Sequence, residues 1–205
     1  GRGESVWLAF FLVLVWERMI YLCEMLGEET RDYQEKQLHM LEALRLYGYD
    51  GAWYRRGYYD DGTPLGSDCR CDCKIDAIAQ AFAAIVSSEL GFEKERAMRA
   101  MASVEEHLFD REHQMIHLLT PPFMQDVQSP GYIKGYVAGI RENGGQYTHA
   151  ALWAVWGLIS VGEYSKAYEM LCGIDVGNHN HYNLCRTCKC YVDVSRRWNF
   201  DRLYR

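Results

Sequence analysis

The amino-acid sequence predicts an all-α protein built of antiparallel helical hairpins that curve into part of an (α/α) toroid, with the long loops at one end. Three observations predict this. Six segments carry apolar residues at helical spacing. The connections alternate in length: Gly27-Glu28-Glu29, Gly91-Phe92 and Gly162-Glu163 are tight, whereas 49–72 and 109–146 are long. Tight turns make antiparallel pairs, so both long loops fall at the same end. The hairpins share no repeat signature and their loops differ greatly, which argues against a superhelical repeat array. Three hairpins form an open arc, so the remainder of the ring is expected from a longer parent chain or a partner.

The first helix is expected over Val6–Leu26, with Ser5 as N-cap and Gly27 as the stop. Its apolar run Val6–Trp16 ends at Glu17 and Arg18, too short a run to span a bilayer, and reads as a buried helix. No basic segment and small-residue cleavage site precede it, so it does not read as a signal peptide. With no initiator Met, the chain reads as a piece of something longer. The second helix, Thr30–Tyr47, places Leu38, Leu41, Leu44 and Leu46 on its buried side and ends at Gly48. An irregular stretch rich in Gly, Asp and aromatics follows. The third helix is expected over Lys74–Leu90, with Ile75, Ile78, Ala79, Phe82 and Ile85 buried, and the fourth over Glu93–Leu108. Gln114–Leu119 reads as strand-like. The strongly apolar Tyr147–Val161 is the fifth helix and Tyr164–Leu171 the sixth. Residues 1–173 are thus read as the barrel segment and 174–205 as a divergent tail containing Cys and His.

With 205 residues and 49% hydrophobic side chains, the chain can bury a real core. Its net charge of −6 offers no basic face and excludes nucleic acid as the expected partner. Fifteen Tyr and six Trp supply the flat platforms that sugar-binding clefts use, although cores use them too. Cys69, Cys71 and Cys73 form one cluster and Cys185, Cys188 and Cys190 another. The Cys185-x-x-Cys188 spacing suits zinc, but Cys-x-Cys does not, so reduced thiols in a cytosolic protein are the expectation and no metal site is assigned. Cys23 and Cys172 read as core thiols.

The stretch with the densest chemistry is 130–151, PGYIKGYVAGIRENGGQYTHAA. Its glycines permit sharp turns and close approach of the backbone to a ligand. It leads into the fifth helix, so the amides of Gly144, Gly145 and Gln146 are expected where a helix N-terminus favours an anion. Arg141, Lys134 and His149 add cationic or donor groups. A loop this long and this polar is more often a site than a cover for the barrel end. A second stretch, 53–67, juxtaposes aromatic faces with Arg55, Arg56, Asp60 and Asp61. Adjacent carboxylates point apart, so one of the two caps the turn before Gly62 while the other can hold a sugar hydroxyl oriented by Arg55 or Arg56. Asp76 and Gln80 share a helical face, with an N-terminal carboxylate favoured by the helix dipole as the structural reading.

GESVWLAFFL at 3–12, YYDDGTPLGS at 58–67, CKIDAIAQ at 73–80, LLTPPF at 118–123 and PGYIKGYVAGIRENGGQYTHAALWAV at 130–155 together resemble the inverting β-glycoside phosphorylases of glycoside hydrolase family 94. That family includes cellobiose and chitobiose phosphorylases and the C-terminal modules of cyclic β-1,2-glucan synthases. RAMASVEEHL at 99–108 leans toward the β-1,2-glucan branch. The resemblance implies an (α/α)6 barrel, of which this chain would form about half. It implies cleavage of a β-glucan by inorganic phosphate, a co-substrate in place of any cofactor. It puts His149 at the phosphate. Arg141, Gly144 and Gly145 are added from charge and position; Tyr132, Lys134, Glu142, Gln146, Asp61 and Arg55 are the expected sugar contacts. The family's general acid is an Asp in an Asp-Trp-Asn-Asp segment upstream of the Gly-Glu-Ser-Val-Trp motif. It would precede Gly1, so this segment alone is expected to be inactive. Past Gly173 the resemblance fades, with no Thr-Gly or Ser-Gly phosphate loop, and CRCD at 69–72 also departs from the pattern. The implied setting is cytoplasmic, as a free enzyme or as a cytoplasm-facing module of an inner-membrane synthase, and a homodimer stays open. Other readings are a non-catalytic sugar-binding or scaffolding remnant, a zinc-stabilised module, and an inverting hydrolase using Glu142 as base.

Overall fold

The computed structural model describes residues 2–125 and 128–174. The tail from 175, with Cys185, Cys188 and Cys190, lies outside the described residues, and so does the expected 174–205 region beyond its first position. In chain order the elements are β1 (Glu4–Ser5), α1 (Val6–Leu26), α2 (Arg31–Tyr47), β2 (Gly57–Tyr58), β3 (Pro64–Leu65), β4 (Ile75–Asp76), α3 (Ala77–Leu90), α4 (Lys94–Leu108), β5 (Phe109–Asp110), β6 (Met115–Ile116), β7 (Leu119–Thr120), α5 (Thr148–Ser160) and α6 (Tyr164–Ile174).

The helices pair as expected, α1 with α2, α3 with α4 and α5 with α6, while α3 also packs on both α1 and α5. This makes α1, α3 and α5 an inner row backed by α2, α4 and α6. The middle inner helix reads AIAQAFAAIVSSEL, apolar on every side, and every residue from Ala77 to Ser87 is buried. Its small residues allow close approach. A β-carbon on Gly157 of α5 would lie 2.9 Å from Met101 Sδ and 3.1 Å from Ala81 Cα. The thioether can yield but the α3 backbone cannot. Gly157→Val is therefore expected to destabilise the fold by about 1–3 kcal/mol through overpacking, read as a lower thermal midpoint. An unchanged midpoint would mean that α3 and α5 have room to part.

The caps explain the helix ends. Ser5 accepts from Leu8 N–H and starts α1; Gly27, at φ +71°, ends it with its own N–H on Glu24 O and that of Glu28 on Cys23 O. The other boundaries shift by a few residues from the sequence reading. Helix α3 begins at Ala77 rather than Lys74, because Ile75 and Asp76 pair with Thr120 and Leu119 as strands. Glu93 and Tyr147 are caps rather than helical residues, and α6 continues to Ile174.

Three burial expectations are corrected. Only Leu44 of the four α2 leucines is buried and Leu41 is partly so; Leu38 (70% exposed) and Leu46 face out, because an outer helix is covered along one narrow stripe. Helix α1 runs on through Glu17 and Arg18 for 21 residues, and by length and composition alone it could cross a membrane. It is buried on one face only, through Val6, Phe10, Val13 and Ile20, while Leu8, Phe11, Val15 and Leu22 are exposed. Arg18 forms an ion pair with Glu89 of α3. Cys23 and Cys172 are half-buried rather than core, Cys73 is buried, and Cys69 and Cys71 are exposed.

The inner helices all start at the same end, and the starts of α1 and α3 are each fastened by the long loop that follows. Val6, first residue of α1, donates its N–H to Arg56 O (3.0 Å), and Ala77, first residue of α3, donates to Leu118 O (2.8 Å). β1 pairs antiparallel with β2, which pairs with β3. The long loops therefore form one rim around the N-termini of the inner helices.

Candidate functional site

The two long loops interlock before they present any side chain. Cys73 N–H donates to Pro121 O (2.7 Å) and Lys74 N–H to Thr120 O (2.8 Å). The buried Asp72 carboxylate accepts from the amides of Met124 (2.7 Å) and Gln125 (2.6 Å). Gln128 donates to Asp61 Oδ2 and Thr63 Oγ1, both at 3.3 Å, and accepts from Arg70 (2.8 Å).

On this base the glycine-rich segment folds tightly. Gly131–Gly135 forms a 3₁₀ turn, which carries Lys134, and Ile133 anchors it in a small core with Cys73, Leu119 and Phe123. A closed loop follows, with Gly139 N–H on Asn143 O (2.8 Å) and Asn143 N–H on Ile140 O (3.0 Å). Arg141, at its tip, has φ +51°, a left-handed backbone unusual for a side chain larger than glycine. Gly144, at φ +87°, and Gly145 are buried; a β-carbon at Gly144 would meet Pro122 Cγ at 2.9 Å, and one at Gly145 the Arg141 backbone at 2.9 Å.

The Gly145 amide does not face an open anion site. Its N–H goes to Arg141 O (3.0 Å), its carbonyl accepts from Leu118 N–H (2.9 Å), and the Gly144 carbonyl accepts from His117 Nδ1 (2.8 Å). Gly145 therefore supplies closeness rather than an open donor, because the loop turns back on itself before α5 begins. Gln146 is likewise diverted, its side-chain oxygen accepting from Ile116 N–H (2.9 Å).

What reaches the surface at the start of α5 is a cluster of rings and charges. His149, exposed in the first turn, stands edge-on to Tyr147 (4.2 Å between ring centres) and to Trp153 one turn later (4.8 Å). Trp153 in turn packs on Phe82 and Trp7, so the imidazole rests on a stack rooted in α3 and α1. Arg141 lies over the Tyr136 ring and donates to its hydroxyl (3.3 Å); Tyr136 stands edge-on to the exposed Tyr132. Glu142 is close enough to Tyr147 that burial, then this carboxylate and Tyr132, push the phenol above its ordinary pKa against the opposing Arg141. The Tyr147 side chain hydrogen-bonds the Glu142 carboxylate, whose Oε2 is enclosed by protein atoms.

Arg55 lies outside this cluster. It pairs with Asp50 (2.5 Å) and donates to Tyr58 Oη and Tyr47 O, fastening the end of α2. Asp61 accepts from Thr63 N–H (2.9 Å) as the turn cap before Gly62, and Asp60 accepts the amides of Arg2 (2.7 Å) and Gly3 (2.6 Å). Asp76 is the N-cap of α3 and the ion partner of Arg56, and Gln80 clips both backbone groups of Tyr54, so neither offers a sugar contact. Sequence reasoning missed Trp153, and it counted Tyr136 and Asn143 in the dense 130–151 stretch without giving either a role. The four-residue spacing of His149 and Trp153 on one helix was the available signal for Trp153. The bonds of the buried Asn143 amide to Phe123 and Tyr136 had no signal in local sequence.

An inner row of helices backed by an outer row, with interlocked loops at the inner N-termini, defines one arc of an (α/α)6 catalytic barrel. The catalytic-domain profile of the Glycosyl hydrolase 94 superfamily matches residues 1–197. The chain belongs to this family. It is 45% identical over 157 residues to the cyclic beta-(1,2)-glucan synthase NdvB of Rhizobium meliloti, covering 76% of this chain and 5% of that protein. It is 30% identical over 173 residues to a 3-O-beta-D-glucopyranosyl-beta-D-glucuronide phosphorylase of Paenibacillus borealis, covering 83% of this chain and 22% of that protein. With an N,N'-diacetylchitobiose phosphorylase of Vibrio proteolyticus it shares 27% identity over 184 residues, 88% of this chain and 22% of the other. The chain thus spans between 5% and 22% of the length of these relatives.

Proposed function

We propose that this chain supplies one arc of the active site of an inverting glycoside phosphorylase or glucan synthase module acting on β-linked, in particular β-1,2-linked, glucose oligomers. In such a reaction phosphate oxygen attacks the anomeric carbon as the glycosidic bond breaks. A carboxylic acid protonates the leaving oxygen, giving a sugar 1-phosphate and a shortened glucan. Because phosphate is the nucleophile, no base is needed; the site must instead hold an anion beside a pyranose. His149 and Arg141 would hold the phosphate, and Glu142 and Tyr132 the sugar, with Lys134 at the edge. The general acid is assigned to the parent chain upstream of Gly1.

The observation that carries this reading is the gathering of Tyr132, Arg141, Glu142, Tyr147 and His149 at the N-terminus of α5. The apolar faces left open on α1 (Leu8, Phe11, Val15) and α5 (Leu152, Trp156, Ile159) would be covered by the parent's remaining hairpins. A cytoplasmic location, with or without membrane attachment through other parts of the parent, goes with this substrate. The test is release of glucose 1-phosphate from β-1,2-gluco-oligosaccharides by the full-length parent. Release should rise with phosphate and saturate; turnover independent of phosphate would end the reading, and glucan binding without turnover would shift it to a sugar-binding role.

A further inference from the structure

We infer that Asn143 is the positioning residue that sets Arg141 and Glu142 at the site, an inference that rests on the function proposed above. Its side chain is completely buried and forms three hydrogen bonds, all to backbone. Oδ1 accepts from Phe123 N–H (2.7 Å), and Nδ2 donates to Phe123 O (3.1 Å) and to Tyr136 O (2.8 Å). Its backbone closes the loop through Gly139 N–H and Ile140 O. One amide therefore ties the strap 136–143 to the Leu-Leu-Thr-Pro-Pro-Phe loop that pairs with the start of α3.

The residues held between these ties are Arg141 and Glu142. Arg141 occupies a left-handed backbone that a non-glycine residue adopts only when its surroundings impose it. Glu142 is held with one carboxylate oxygen enclosed by protein atoms, an arrangement a loose loop would relax by turning the side chain to water. Both features need an external constraint, and the Asn143 side chain supplies one: two of its bonds fix the strap to the frame at Phe123 and the third closes the strap on Tyr136 O. A shift of about 1 Å in groups that hold two substrates costs on the order of 10²-fold in rate.

The fold contains a matched control. Gln80, also fully buried, uses the same pattern of one acceptor and two donors, accepting from Tyr54 N–H (2.7 Å) and donating to Tyr54 O and Asp76 O (both 2.8 Å). Its bonds all go to the other long loop and the α3 cap. The experiment compares Asn143→Ala and Gln80→Ala in the full-length parent, measuring melting temperature and phosphorolysis with phosphate and β-1,2-gluco-oligosaccharide varied separately. Both variants should melt lower. Partial unfolding reduces the amount of active enzyme, so Gln80→Ala should lower apparent kcat and leave both KM values unchanged. Asn143→Ala should raise KM for phosphate about tenfold or more and lower kcat/KM about 10²-fold. If Asn143→Ala does not fold, the isosteric Asn143→Asp, which keeps the acceptor and removes both donors, should show the same rise in KM. Phosphate KM unchanged in either folded Asn143 variant overturns the inference while leaving the proposed function intact. Wild-type parent with no phosphate-dependent turnover overturns both.

Discussion

Replacing Asp76 with alanine is expected to destabilise the fold by about 3–5 kcal/mol, the loss that follows when one partner of a buried ion pair is removed. Asp76 has no exposed surface and performs two tasks. Oδ1 caps α3 by accepting from Ile78 N–H (2.9 Å) and Ala79 N–H (3.4 Å), while Oδ2 takes the Arg56 guanidinium. Burial works against the charge on Arg56, but Asp76, with Cys73 and Tyr132 adding to it, outweighs burial and holds the pKa above the ordinary value. Without the carboxylate the guanidinium is stranded and the most buried helix loses its cap, itself a matter of about 1 kcal/mol. Arg56→Met should cost less, because Asp76 keeps its two amide donors and the thioether fills the space of the aliphatic stem. Chemical denaturation of the two variants, followed by a signal from this barrel, checks the order. Asp76→Ala within about 1 kcal/mol of wild type would show that water enters to solvate Arg56.

The parts of this architecture that were legible in the sequence are those set by local chemistry. Ser5 before an apolar run and Gly27 after it fix α1, and both cap as their types dictate. The alternation of two- and three-residue links with loops beyond twenty placed the rim correctly, because short links force antiparallel neighbours. What was not legible depends on pairing across distance. Ile75, Ile78 and Ala79 fit a helical period, yet Ile75 and Asp76 are held extended by Leu119 and Thr120, which no local pattern announces. Arg55 and Arg56 are adjacent, and in extended chain they point to opposite sides; the pairing of Gly57 with Leu65 and Ser5 decides that Arg56 faces inward to Asp76 and Arg55 outward to Asp50. The same holds for Gly145 and Gln146, whose polar groups were free to meet a ligand in sequence terms and are taken up by Arg141 and Ile116 in the fold.

Removing the imidazole of His149 is expected to lower kcat/KM for phosphorolysis by about 10²–10³, the usual cost of deleting one preorganised donor to a developing or bound anion. The expectation rests on placement. His149 lies in the first turn of α5, where the helix dipole adds to any donor aimed at an anion. Edge contacts with Tyr147 and Trp153 keep the ring from swinging, and Trp153 is itself packed on Phe82 and Trp7. Because His149 is exposed, His149→Ala should leave the thermal midpoint nearly unchanged, in contrast to Asp76→Ala and Gly157→Val. The loss should appear first in the phosphate KM, since the glucan contacts proposed above are made by other residues. His149→Asn, which keeps an N–H donor on a shorter stem, should recover part of the rate. Trp153→Ala leaves the donor in place but removes its support, so it should lower kcat/KM by a smaller factor than His149→Ala. Equal losses from the two, or a His149→Ala variant with unchanged phosphate KM, would show that the imidazole serves packing and that phosphate is held elsewhere in the ring.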